Sequence, residues 1–182
     1  MRRRTTAVSS KFDNWVYENA KVTPAKEGDA ESLAPRLREA DKQEIYALTG
    51  LEPEPALRSC LSYANGECYS IRDLETDEPL ALFGTSSDGQ ESGVGMIWLL
   101  GSDELFDDRI NKVSFLRNSE IWLEKLFEKY DLLFNVVDAR NTLHIRWLKW
   151  LKFKFIADIP EFGFEGRTFR QFYKKKEDND DD

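Results

Sequence analysis

Two cysteines and one histidine are all that this 182-residue chain holds of the usual soft metal ligands. Cys60 and Cys68 are too few for a disulfide framework, and a dedicated zinc site lacks donors. A Ser-His-Asp or Cys-His nucleophile would depend on His144, the sole imidazole. No apolar run approaches the roughly 20 residues that cross a bilayer. The basic start Arg2-Arg3-Arg4 is followed by no apolar segment, so a secretory signal and export are not expected. Positive charge is in deficit, with 26 Lys and Arg against 34 Asp and Glu, a net charge of −8. That excludes a general nucleic-acid binder, which needs a basic face to release counterions. Five of the acids (Glu177, Asp178, Asp180, Asp181, Asp182) crowd the C-terminus. Without them the body is only mildly acidic, which leaves room for a local basic patch.

What is present is the material of a core. Hydrophobic residues make up 41% and aromatics 13%, beside 33% charged residues, so the chain folds over most of its length. One domain is expected over residues 13–173. A flexible basic arm, 1–12, precedes it, and a disordered acidic tail, 174–182, follows. No internal repeat is visible.

The alternation of Trp15, Tyr17 and Val22 predicts one strand ending at Thr23-Pro24. Residues 29–41 read as a helix with Asp29 as N-cap, Leu33, Leu37 and Ala40 as its stripe, and a kink or break at Pro35. Short helices follow over 42–48, stopping at Gly50, and 56–63, stopping before Asn65-Gly66. Three strands are predicted over 67–73, 80–85 and 93–100, the last almost continuously apolar and therefore central and buried on both faces. A long helix capped by Asp107 or Asp108 runs to about Tyr130. A buried strand over 132–137, an Asn141-capped helix over 143–151, and alternating strands over 153–157 and 168–173 complete the order. The three adjacent strands form an antiparallel meander, and the unit around 93–137 is a right-handed parallel crossover. The fold class is α/β: a mixed, mostly antiparallel sheet with helices on both faces.

That order resembles the GNAT fold, the general N-acetyltransferase superfamily. Residues 28–41 are similar to the opening helix of many members. The segment Asn141-Thr142-Leu143-His144-Ile145-Arg146-Trp147-Leu148-Lys149-Trp150-Leu151-Lys152-Phe153 looks like the family's second motif, an Asn-capped helix ending in Leu-Gly-Phe. More narrowly, Leu126 to Lys149 resembles the GNAT-like proteins of short-tailed bacteriophages, known as acetyltransferases or as internal virion proteins. The resemblance implies acetyl-CoA as cofactor, virion or host proteins as partners, and a location in the virion or the host cytoplasm.

The family cradles the CoA pyrophosphate with an Arg/Gln-x-x-Gly-x-Gly/Ala turn, whose glycines let backbone N–H groups approach the phosphates. Here no paired glycines follow Gly101, and Asp103, Glu104, Asp107 and Asp108 crowd the place. If CoA binds, the resemblance puts Leu99, Leu100 and Asn141 beside it and makes Arg109, Lys112 and Arg117 substitute phosphate ligands. The other reading of those cations is solvated helix charge. Many members protonate the leaving thiolate with a Tyr where this chain has Leu148, which transfers no proton. Tyr130 or Tyr173 could replace it, and Glu67, Glu91 or Asp103 could serve as base. His144 is either a half-buried, hydrogen-bonded helix-start residue or a functional one. Trp147 and Trp150 beside Lys149, Lys152 and Lys154 either pack a helix on the sheet or form a stacking platform for nucleic acid. Two readings follow: a virion or partner-binding protein on a degenerate acetyltransferase scaffold, and an active N-acetyltransferase of protein amines.

Overall fold

The computed structural model describes residues 15–17, 19–63, 67–86, 93–107 and 109–179. The expected arm 1–12 and Glu91 lie outside the described residues, as do the side chains of Arg109 and Lys112. One sheet of eight strands organises the chain, in the order β1-β2-β3-β4-β5-β6-β8-β7. The strands are β1 (Trp15–Tyr17), β2 (Ala20–Pro24), β3 (Cys68–Asp73), β4 (Pro79–Ser86), β5 (Val94–Gly101), β6 (Leu132–Asp138), β7 (Lys154–Phe162) and β8 (Arg167–Lys175). The helices are α1 (Asp29–Leu33), α2 (Glu39–Thr49), α3 (Pro53–Tyr63), α4 (Glu104–Asp107), α5 (Arg109–Leu126) and α6 (Thr142–Trp150). Neighbouring strands are antiparallel except β5 and β6, which α5 joins as a parallel crossover. No helix among the described residues is long and apolar enough to span a membrane.

Several expectations shift for local reasons. The first strand is a hairpin, because Tyr17 pairs with Ala20 and the chain reverses between them. The 29–41 helix breaks, as Pro35 demands. Residues Ala34–Arg36 form a 3-10 turn, and α2 restarts at Glu39. Asp29 is not the N-cap. Gly28 holds that place at φ 90°, and Asp29 is buried inside α1 against Arg72 Nη1 at 2.6 Å. The strand buried along its whole length is β4, not β5, because β5 borders an opening described below. The chain expected as a tail from residue 174 is ordered through Asn179. Lys174 pairs with Leu133 in the ladder and buries its side chain, whose Nζ donates to the Leu151 carbonyl at 3.0 Å.

The core lies on both faces of the sheet. Leu82, Leu33, Leu57 and Ile45 join the sheet to α1, α2 and α3. Phe83, Leu99, Phe115 and Trp122 join it to α5, and Leu133, Val137, Leu148 and Phe172 join it to α6. Burying such side chains stabilises by about 1.5–3 kcal/mol each.

Candidate functional site

β5 and β6 pair only over Val94↔Leu132, Gly95↔Leu133 and Met96↔Phe134. Past Met96 they part, and the sheet opens into a wedge. On β5, Ser102 N–H donates to the Leu80 carbonyl at 2.8 Å. By ladder alternation Leu100 and Trp98 also bond toward β4, while Ile97, Leu99 and Gly101 turn their backbone groups into the wedge.

The chain's own groups occupy most of that edge. Asn135 Nδ2 donates to the Ile97 carbonyl at 2.7 Å. Gly101 N–H donates to Asp41 Oδ2 at 3.1 Å, and the Gly101 carbonyl accepts from Arg38 N–H at 3.0 Å. Leu37 forms a bridge to Ser102 beside them. Leu99 lies between these contacts, and the same alternation turns its N–H and C=O into the wedge beyond the last paired residues of β5 and β6.

Behind the edge a polar knot ties α2 to β6 and α6. Asp41 is 1% exposed and accepts from Arg38 Nε at 3.1 Å and from Asn141 Nδ2 at 3.3 Å. Asn141 caps α6 as expected, its Oδ1 accepting from His144 N–H at 3.4 Å. Its Nδ2 also donates to Glu44 Oε2 at 2.9 Å, which further accepts from Asp138 N–H at 3.3 Å. Burial raises the Glu44 carboxyl to about 8, helped by the nearby charges of Asp41 and Asp138 and opposed by these hydrogen bonds. Asp138 itself is paired with Arg140 at 2.6 Å.

The wedge holds a cavity of about 340 Å³. Its walls are mostly apolar, with Trp98, Leu99 and Leu100 from β5, Trp122 from α5, and Trp147 and Leu148 from α6. Glu44, Asn135 and His144 are among its few polar groups. The His144 ring lies 5.3 Å from that of Trp147, and burial lowers its pKa to about 4, so the imidazole is neutral. Among the described residues its Nδ1 is buried without a hydrogen-bond partner. The ring is therefore half-buried but not bonded through Nδ1, unlike the satisfied helix-start residue that one reading expected.

The other candidates scatter. Leu99 and Leu100 line the cavity, but the backbone groups of Leu100 face β4. Arg117 is exposed on α5 and does not line it. Asp103 and Glu104 are exposed, and Glu104 pairs with Arg36 at 2.7 Å. Glu67 and Tyr130 do meet, at 2.7 Å between Oε2 and the hydroxyl, with Thr85 and Lys129 completing the cluster. Burial would raise Glu67, but the hydrogen bonds of Lys129, Tyr130 and Thr85 bring it below the usual carboxylate range. This cluster sits by the paired end of β5 and β6, and neither Glu67 nor Tyr130 lines the cavity. Leu148 is buried in the cavity wall. Trp147 packs against Phe115 at 5.5 Å and donates to Ser119 Oγ at 3.3 Å, whereas Trp150 is 44% exposed. Trp147 is thus a packing residue, and the paired stacking platform is not formed.

Sequence reasoning missed Arg38, Asp41, Glu44 and Asn135. The one available signal was that Asp41, Glu44 and Leu48 share a face of α2, which sets two acids on a stripe running toward the core.

No family model and no curated protein matches the sequence. Solved structures do match. Spermidine N-acetyltransferase from Vibrio cholerae, in complex with CoA and spermine, is 10% identical, with 88% of this chain and 98% of that one covered at a TM-score of 0.65. Ribosomal-protein-S5-alanine acetyltransferase from Vibrio fischeri is 13% identical over 93% and 98% of the two chains, with a TM-score of 0.64. A GCN5-related N-acetyltransferase from Kribbella flavida is 16% identical over 86% and 98%, at 0.63. At such identities the likeness defines the fold, and the fold is that of the GNAT acetyltransferases.

Proposed function

We propose that the protein is a binding protein on an acetyltransferase scaffold that does not turn over acetyl-CoA, acting in a phage virion or on a partner protein. The observation that carries this reading is the state of the β5 edge. Both backbone groups of Gly101 and the carbonyl of Ile97 are spent on Arg38, Asp41 and Asn135. An extended amide-bearing arm laid in the wedge would find only the Leu99 pair. The pyrophosphate fits no better. A Cβ on Gly101 would meet Ala81 at an ordinary 3.4 Å, so no glycine there is held open for a phosphate. After Ser102 come the exposed Asp103 and Glu104, and Asp103, unlike the Arg36-paired Glu104, opposes an anion there. The likeness of residues 126–149 to short-tailed phage proteins supports the virion setting.

The test is thermal unfolding with and without millimolar acetyl-CoA, with ATP as a phosphate control. We expect no shift. A ligand at 100 times its Kd would stabilise by about 2.7 kcal/mol and move the midpoint by several degrees. A shift with acetyl-CoA and none with ATP would reverse the reading.

One observation favours a second reading, an active N-acetyltransferase of a host or phage protein amine. Glu44 stands in the cavity with its pKa near 8, where a general base for an ammonium substrate would be poised. Transfer of label from acetyl-CoA to a peptide panel, lost in Glu44→Gln, would establish it.

A further inference from the structure

We propose that the cavity between β5, β6, α5 and α6 binds a small uncharged molecule, mostly hydrocarbon, with a single carboxamide-type head. The walls come first. Trp98, Trp122, Trp147, Leu99, Leu148 and Phe172 give an apolar lining to about 340 Å³, within the size range of small-molecule sites. Such a lining stabilises hydrocarbon and penalises an unpaired charge.

The polar groups set the head. The formal charges around the cavity are already matched or discharged. Arg38 is closed on Asp41, and Asp138 on Arg140. Glu44 and His144 are both held in their neutral forms by burial, an acid pushed up and a base pushed down. The mostly apolar walls favour a neutral guest over an ion of either sign. What remains unsatisfied is hydrogen-bonding capacity. The protonated Glu44 carboxyl offers a donor, His144 Nδ1 has no partner among the described residues, and the ladder alternation turns the Leu99 N–H and C=O into the wedge. A carboxamide brings both an acceptor and a donor without charge, so it can answer groups of both kinds. A carboxylate finds no unpaired cation there and an ammonium no unpaired anion, because Arg38 and Asp41, and Asp138 and Arg140, are already closed on each other.

The proposal rests on the proposed function above, in which the cavity's occupant carries no pyrophosphate. The test uses the full chain and a matched probe series near neutral pH: octanamide, octanoate and octylamine. Tryptophan fluorescence reads occupancy, because three of the five tryptophans line the cavity. The expected result is saturable binding of octanamide, with octanoate and octylamine weaker by about tenfold or more. His144→Phe keeps the ring against Trp147 and is expected to weaken octanamide by about tenfold, the cost of one buried hydrogen bond. Equal binding of octanoate and octanamide, no saturation by octanamide, or unchanged affinity in a folded His144→Phe would each overturn the proposal. The probe series in the unaltered protein decides the matter even if the variant fails to fold. Acetyl-CoA is added as a competitor. If it displaces bound octanamide, the non-catalytic reading falls while the ligand class stands. If neither compound binds, the ligand class falls alone.

Discussion

Replacing Asp41 by Ala is expected to destabilise the protein by about 3–5 kcal/mol. Asp41 is 1% exposed and closes an ion pair on Arg38, itself 6% exposed. Removing the carboxylate strands a buried guanidinium, and that penalty exceeds what the pair gains over water. The same oxygens also receive the Gly101 N–H and the Asn141 amide, so a backbone donor at the end of β5 loses its partner as well. Urea unfolding would show the loss directly. A thermal scan should show a fall of roughly 6–20 °C for a chain of this size. The double variant Arg38→Met with Asp41→Leu should recover part of the loss, because it removes the stranded charge but leaves Gly101 unpaired. A loss under 1 kcal/mol for Asp41→Ala would mean that Arg38 reaches water when its partner is gone.

Stability should fall with rising pH between about 6.5 and 8, and Glu44→Gln should abolish that fall. The Glu44 carboxyl titrates near 8 in the folded chain against 4.5 as the ordinary value. Between those values the folded state holds a proton that the unfolded chain has released, so stability drops as pH rises. His144 works in the opposite sense. Its imidazole titrates near 4 when folded against 6.5 ordinarily, so between those values the unfolded chain binds the extra proton and stability rises with pH. From about 4.5 to 6.5 the two slopes oppose and largely cancel. Above 6.5 only the Glu44 slope remains, at most about 1.4 kcal/mol per pH unit, or about 2 kcal/mol by pH 8. Urea midpoints across pH 5 to 9 would trace this profile. In His144→Phe the cancellation is lost, and the fall begins near pH 5. An unaltered alkaline slope in Glu44→Gln would show that Glu44 is charged in the folded chain.

Most of the architecture was legible in the sequence. The strands after Glu67 read from their apolar runs and turns. The parallel crossover followed from strand, long helix, strand, and the cap at Asn141 from its place before the helix. Boundaries moved where a tertiary contact overrode the local signal. Lys174 looks like the start of a charged tail, yet its long stem is buried on β8 and its ammonium finds the Leu151 carbonyl. Asp29 looks like a cap, yet Arg72 from β3 claims it inside α1.

By itself, then, the sequence determined what depends on neighbours a few residues apart: the order of elements, the helix start at Asn141, the break at Pro35, and the missing glycines after Gly101. Only the tertiary structure decided where the wedge opens, which backbone groups of β5 face it, and which side chains meet in the cavity. Asp41 and Asn141 are 100 residues apart and Asn135 and Ile97 are 38 apart, so no local pattern relates them. The neutral state of Glu44 is a property of the same kind, because it depends on desolvation by elements the chain brings together only on folding.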